Sequence, residues 1–95
     1  MSVMVIATIE AEEPHEKTVE KALRDVVTPS RDDDGCEMYV LTRDEDNTSL
    51  FLMVERWRDG AALKAHENTT HYKALMNAVK GKLVSIDIQK LDVRM

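Results

Sequence analysis

The side chains with the most chemistry to offer fall in one stretch of this chain: Glu55, Trp57, Leu63, His66, His71 and Tyr72. A histidine exchanges a proton near neutral pH, a tryptophan gives a flat apolar wall with one N–H donor, and a tyrosine hydroxyl can donate a hydrogen bond. Glu55 and Trp57 are two residues apart and share a face if they lie on a strand. Leu63 and His66 are three apart and share a face if they lie on a helix. A strand face and a helix face that converge would build a small pocket with a base and a wall. Each residue also has a structural reading: Trp57 as core, Glu55 as an ion-pair partner, and His66 as a helix-end group bonded to backbone.

Other chemistries are poorly served by the spacing. His66 and His71 are five residues apart, roughly 140° around a single helix, and Asn68-Thr69 reads as a cap that breaks the helix between them. A helical metal pair would want i, i+4. The segment from Asp44 to Glu55 imitates a calcium loop at its first, third and twelfth positions, yet Ser49 stands where the sharp turn needs glycine. These acids, with Asp32, Asp33 and Asp34, read as solvated loop charge, and no metal is expected. Only three glycines occur, at 35, 60 and 81, so there is no phosphate-binding loop, dinucleotide fingerprint or nucleophile elbow. The single cysteine, Cys36, has no partner for an internal disulfide and reads as a small buried hydrophobe.

The elements that must position these residues come from hydrophobic period. Val3 to Glu10 is rich in β-branched residues and reads as a strand with apolar residues on both faces. Pro14 suits the first turn of a helix, and Val19, Ala22, Leu23, Val26 and Val27 recur at i, i+3, i+4, i+7, i+8. Pro29 disfavours helical geometry in Thr28, so the helix is expected to end there and Ser30 to Gly35 to form a polar loop. Cys36 to Arg43 and Leu50 to Trp57 read as a hairpin, with Phe51, Met53, Glu55 and Trp57 on one face. Asp59 caps a short helix through His66; Asn68 or Thr69 caps another carrying Tyr72, Leu75, Met76 and Val79; Leu83 to Val93 closes as a strand.

This order predicts an α+β, ferredoxin-like plan in which helices cover one face of an antiparallel sheet, built as one domain over residues 1–95. The strands starting at Val3 and Leu50 carry large apolar residues on both faces, so a homodimer packed sheet against sheet is expected. A formal charge of −5 repels nucleic acid and anionic membrane surfaces, and neither is expected as a partner. The longest apolar runs are strand-sized and no targeting segment is visible, which makes a cytoplasmic protein the expectation.

The run Leu-Phe-Leu-Met-Val-Glu-Arg-Trp-Arg-Asp, with Leu63-Lys64-Ala65-His66, Thr70-His71-Tyr72 and the β-rich opening strand, resembles the antibiotic biosynthesis monooxygenase (ABM) family, including its quinol monooxygenase branch. The resemblance implies a dimeric ferredoxin-like α/β barrel with a pocket in each subunit between sheet and helices. Some members oxygenate phenolic or quinol substrates with molecular oxygen and no metal, flavin or haem; others isomerise small phosphorylated hydroxyketones. Trp57 matches the pocket tryptophan of the polyketide-oxidising branch, whereas an asparagine that branch carries four residues earlier is Met53 here. Thr8 stands where the haem-degrading branch has an asparagine, so no haem is expected. The resemblance therefore implies a cofactor-free monooxygenase acting on a small phenolic, hydroquinone or polyketide-type aromatic, with oxygen as co-substrate. His66, or else His71, would be the general base. Trp57, Phe51, Met53 and Leu63 would hold the ring, and Tyr72 and Glu55 would complete the substrate site. The alternatives are an isomerase of small hydroxyketones or a non-catalytic dimer that binds a small molecule.

Overall fold

The computed structural model describes all 95 residues. Strand β1, Val3–Ala11, leads through a short 3-10 turn at Glu13–His15 into helix α1, Glu16–Arg31. Strands β2, Cys36–Arg43, and β3, Leu50–Trp57, form a hairpin; helices α2, Gly60–Glu67, and α3, Thr70–Val79, come next, and strand β4, Leu83–Asp92, closes the chain. The four strands form one antiparallel sheet in the order β2-β3-β1-β4. This is the ferredoxin-like arrangement that the hydrophobic pattern predicts.

The helix stops are written in local chemistry. The Asp59 carboxylate accepts the Ala62 N–H at 2.8 Å and starts α2, while the Thr69 hydroxyl accepts the Tyr72 N–H at 3.2 Å and starts α3. Thr69 in turn donates to the His66 carbonyl at 2.7 Å, which ties the end of α2 to the start of α3. Helix α1 departs from expectation, because Pro29 lies inside it and the helix continues to Arg31. In the last turn a proline sacrifices only the bond that its missing N–H would make to Asp25. Ser30 is fully buried, and Arg31 Nε donates to the Tyr39 carbonyl at 3.0 Å, so tertiary packing holds the turn.

Register assigns the two faces. Val5, Ala7 and Ile9 of β1 lie beside Glu55, Met53 and Phe51 of β3, and all six are buried under the helices. Val19, Leu23 and Val26 of α1, Ala62 and Leu63 of α2, and Leu75 and Val79 of α3 close the core from the other side. On the opposite face Met4, Ile6, Leu52 and Val54 are only half-buried, while Val40 and Leu91 are 38% and 39% exposed. Strand β4 is poorly covered on its helix side too, where Ile86 and Ile88 are each 41% exposed. No helix is long and apolar enough to cross a membrane.

Candidate active site

Beneath α2 and α3, the helix-side face of the sheet borders a cavity of about 40 Å³ that opens at the β4 edge. Its walls are mostly apolar: Val5, Ala7 and Ile9 from β1, Met53 from β3, Leu63 from α2, and Leu75 and Met76 from α3, with Ile86 and Ile88 at the β4 edge. Four groups bring chemistry to it, namely Glu55, His66, Tyr72 and Tyr39, with Glu67 beside them.

Glu55 is 6% exposed and has one hydrogen bond, donated by Trp57 Nε1 to its Oε1 at 2.9 Å. Burial among apolar side chains pushes its carboxyl up to about 7; the Trp57 hydrogen bond works against that rise, and the Glu67 charge adds to it. Burial likewise raises the Tyr72 hydroxyl above its ordinary value. Glu55 therefore carries its proton up to about pH 7, and Tyr72 keeps its hydroxyl hydrogen throughout the neutral range.

His66 is 1% exposed and sits in an aromatic surround. The Trp57 ring lies over it with centroids 4.5 Å apart, and the Tyr39 and Tyr72 rings meet it edge-on at 5.5 and 5.1 Å. This burial lowers its pKa, with Asp33 opposing the shift, so the neutral imidazole prevails near pH 7. Nδ1 lies 2.8 Å from Asp33 Oδ2, whereas Nε2 is buried with no hydrogen-bond partner. The two nitrogens look away from each other across the ring. With Nδ1 against Asp33, Nε2 is the ring nitrogen left buried without a partner.

The second histidine converges on the same acid. His71 Nε2 lies 2.8 Å from Asp33 Oδ2, and the two imidazoles are 5.9 Å apart. The helix break between α2 and α3 does occur where the cap signal places it, but it swings the histidines together rather than apart. Asp33 reads in the sequence as solvated loop charge; instead its side chain is only 15% exposed and holds both rings. Its neighbour Asp34 is 93% exposed and pairs with Arg58 at 3.2 Å, as loop charge does. Asp33, His66 and His71 offer metal-ligating atoms within 4.8 Å of one another, the one such group of three. Two N–H donors meeting one carboxylate oxygen account for that convergence by hydrogen bonding alone.

Gly35 explains how the acid reaches the helices. It has φ 84°, and a Cβ on it would stand 2.5 Å from that of Ala62, so the loop lies directly against α2. Arg58 N–H donates to the Gly35 carbonyl at 2.8 Å and fixes the approach.

Of the other residues that the sequence singles out, Met53 and Leu63 line the cavity. Trp57 is fully buried behind His66 and does not line it. Phe51 lies at the far end of β3, at the base of an open depression of about 410 Å³ between α1 and β2 that also carries Arg24, Arg31 and Arg43. Cys36 is half-buried against the core, and burial pushes its thiol up, away from nucleophilic use. Asp33 is the site residue that sequence reasoning misses. Nothing distinguishes it in a run of three aspartates except its position just before the close approach at Asp34-Gly35.

A ferredoxin-like sheet with a buried imidazole and a buried carboxyl on one cavity beneath its helices defines a small α+β protein with a site between sheet and helices. The chain belongs to the antibiotic biosynthesis monooxygenase family, whose model matches residues 2–78. It is similar to "Putative monooxygenase YcnE" of Bacillus subtilis, with 35% identity over 57 residues, 60% of this chain and 58% of that protein. The matched stretch thus spans less than two thirds of that relative. Among solved structures it is similar to PA3566 from Pseudomonas aeruginosa, with 37% identity, a TM-score of 0.94, and coverage of 99% of this chain and 95% of that one. It also superposes on Rv0793 from Mycobacterium tuberculosis at a TM-score of 0.94 and 26% identity, over 100% of this chain and 97% of the other.

Proposed function

We propose that this chain is a cofactor-independent monooxygenase that oxidises a small phenolic, hydroquinone or polyketide-type aromatic, with molecular oxygen as co-substrate. The observation that carries this is His66: a neutral imidazole, held at Nδ1 by Asp33, whose Nε2 is buried and unpartnered and whose side chain lines an apolar cavity. A phenolic O–H delivered there loses its proton to Nε2, a general-base contribution on the order of 10²–10⁴-fold. The resulting anion gives one electron to oxygen; the radical pair combines into a C–O bond, and loss of water leaves the oxidised ring. For a hydroquinone the balance is one quinol and one oxygen in, one hydroxyquinone and one water out. The substrate supplies every electron, and the protein moves the proton and keeps bulk water away.

The other lining groups have matching parts. Glu55, protonated up to about pH 7, donates to a second oxygen on the ring, and Tyr72 does the same from α3. Met53 and Leu63 bound the ring, while Trp57 acts at one remove by stacking on His66 and fixing Glu55. His71 faces Asp33 and does not line the cavity, so the base is His66. No lysine or arginine lines the cavity, which disfavours a phosphorylated hydroxyketone as substrate. At about 40 Å³ the cavity is well short of the roughly 300 Å³ of small-molecule pockets, so its α3 wall, with Tyr72 and Met76, must move away from the sheet to admit a ring. The functional unit is a homodimer joined through the second sheet face, where Met4, Ile6, Leu52 and Val54 wait half-buried.

Oxygen uptake on a panel of hydroquinones, catechols and anthrones, corrected for autoxidation, tests this proposal. Metal-stripped wild-type protein should consume oxygen with at least one class, and folded His66→Gln should lose that uptake. No uptake above blank across the panel would overturn it.

A further inference from the structure

We propose that Asp33 is a positioning residue that locks His66 in its Nδ1–H tautomer, and that His71 holds the Asp33 carboxylate in place to do so. A carboxylate only accepts, so the two 2.8 Å contacts at Oδ2 require a hydrogen on His66 Nδ1 and another on His71 Nε2. A neutral imidazole carries one N–H. Once that hydrogen is on Nδ1 of His66, Nε2 is the basic atom, and Nε2 is the nitrogen that is buried without a partner. When Nε2 takes a proton, the resulting imidazolium faces a carboxylate already in contact and needs no rearrangement to be stabilised.

The acid is itself held on every side. Its N–H donates to the Ser30 carbonyl at 3.1 Å, and its own carbonyl accepts from Cys36 N–H at 3.0 Å. His71, 24% exposed, closes the outer side and consumes part of the lone-pair capacity of the same oxygen. Asp33 thus joins α2 and α3 at one side-chain oxygen, while its backbone N–H ties it to the end of α1.

This role rests on His66 as the base, yet the tautomer can be read without any substrate. Long-range ¹H–¹⁵N NMR of the imidazoles in ¹⁵N-labelled protein at pH 7.5 should show His66 neutral with its hydrogen on Nδ1. In Asp33→Asn the amide can donate to Nδ1, so His66 should shift toward the Nε2–H form, and kcat should fall about 10²-fold with KM little changed. Asp33→Glu should recover part of both. In His71→Gln the Nδ1–H form should persist in weakened proportion. Wild-type His66 with its hydrogen on Nε2 would overturn the proposal even if no variant folds. An unchanged tautomer in a folded Asp33→Asn would overturn it as well. Failure of the oxygenase assay alone would leave the tautomer result standing and would strike only the proposed reaction.

Discussion

Trp57 Nε1 donates to Glu55 Oε1 at 2.9 Å, a bond between two side chains on one strand face with a single residue between them. The indole fixes one oxygen of a carboxyl group that the surrounding apolar side chains would otherwise keep uncharged. Burial is the larger effect, and the carboxyl rises from 4.5 to about 7.

That shift makes the fold sensitive to pH. Between about 4.5 and about 7 the folded carboxyl binds more proton than the unfolded one. Its contribution to stability is fully present below that window and declines as pH rises through it. At about 1.4 kcal/mol per unit, the loss is roughly 2–4 kcal/mol by pH 8. Glu55→Gln keeps an acceptor for Trp57 and removes the titration. The variant should gain stability over wild type on going from pH 5 to pH 8, as followed by thermal unfolding at both. A constant difference across that range would show that Glu55 ionises normally.

Glu55 and His66 together set the pH dependence of turnover. His66 must be neutral to act as base, and burial holds its pKa below 6.5, so kcat/KM should fall on the acid side below that value. Glu55 must be protonated to donate, so the rate should fall again on the alkaline side of about 7. Glu55→Gln should flatten the alkaline limb and leave the acid limb in place. Rate profiles of wild type and variant across pH 5–9 decide this.

Gly35 supports the site through its backbone. Gly35→Ala places a Cβ 2.5 Å from Ala62 Cβ at a φ of 84°, so the Asp33 loop must lift from α2. A destabilisation of about 2–4 kcal/mol is expected from the strain and overpacking together, measured by urea unfolding. Loss of the Asp33 contact to His66 should accompany it.

Much of the fold is legible in the residues. Strands β2 and β3 begin and end where the apolar runs do, and Asp59 and Thr69 cap their helices as their side chains allow. Alternation places Phe51, Met53, Glu55 and Trp57 on one buried face. It does not say that Phe51 lies opposite Ile9 at one end of the sheet and Trp57 opposite Val3 at the other, because period gives a face and not a position along it. Pro29 misleads because local sterics leave out the buried Ser30 beside it, whose packing carries the helix on to Arg31. Asp33 escapes the sequence because its partners lie 33 and 38 residues away, a distance that only the folded chain closes.

The second face of the sheet gives a prediction about assembly. Ile6 and Val54 are cross-strand partners on that face and only half-buried in one chain. Sedimentation at micromolar concentration should give a dimer, and Val54→Asp should give a monomer or a poorly folded chain, since a charge would then be buried without a partner. A well-folded wild-type monomer would remove the sheet-to-sheet interface.

The most direct test tracks the oxygen atoms. With a hydroquinone turned over under ¹⁸O₂ and without metal or added cofactor, one labelled atom should appear in the organic product and the other in water. An unlabelled product with hydrogen peroxide formed in equal amount would make the protein an oxidase and contradict oxygen insertion. No difference from the protein-free reaction would contradict catalysis at His66 altogether.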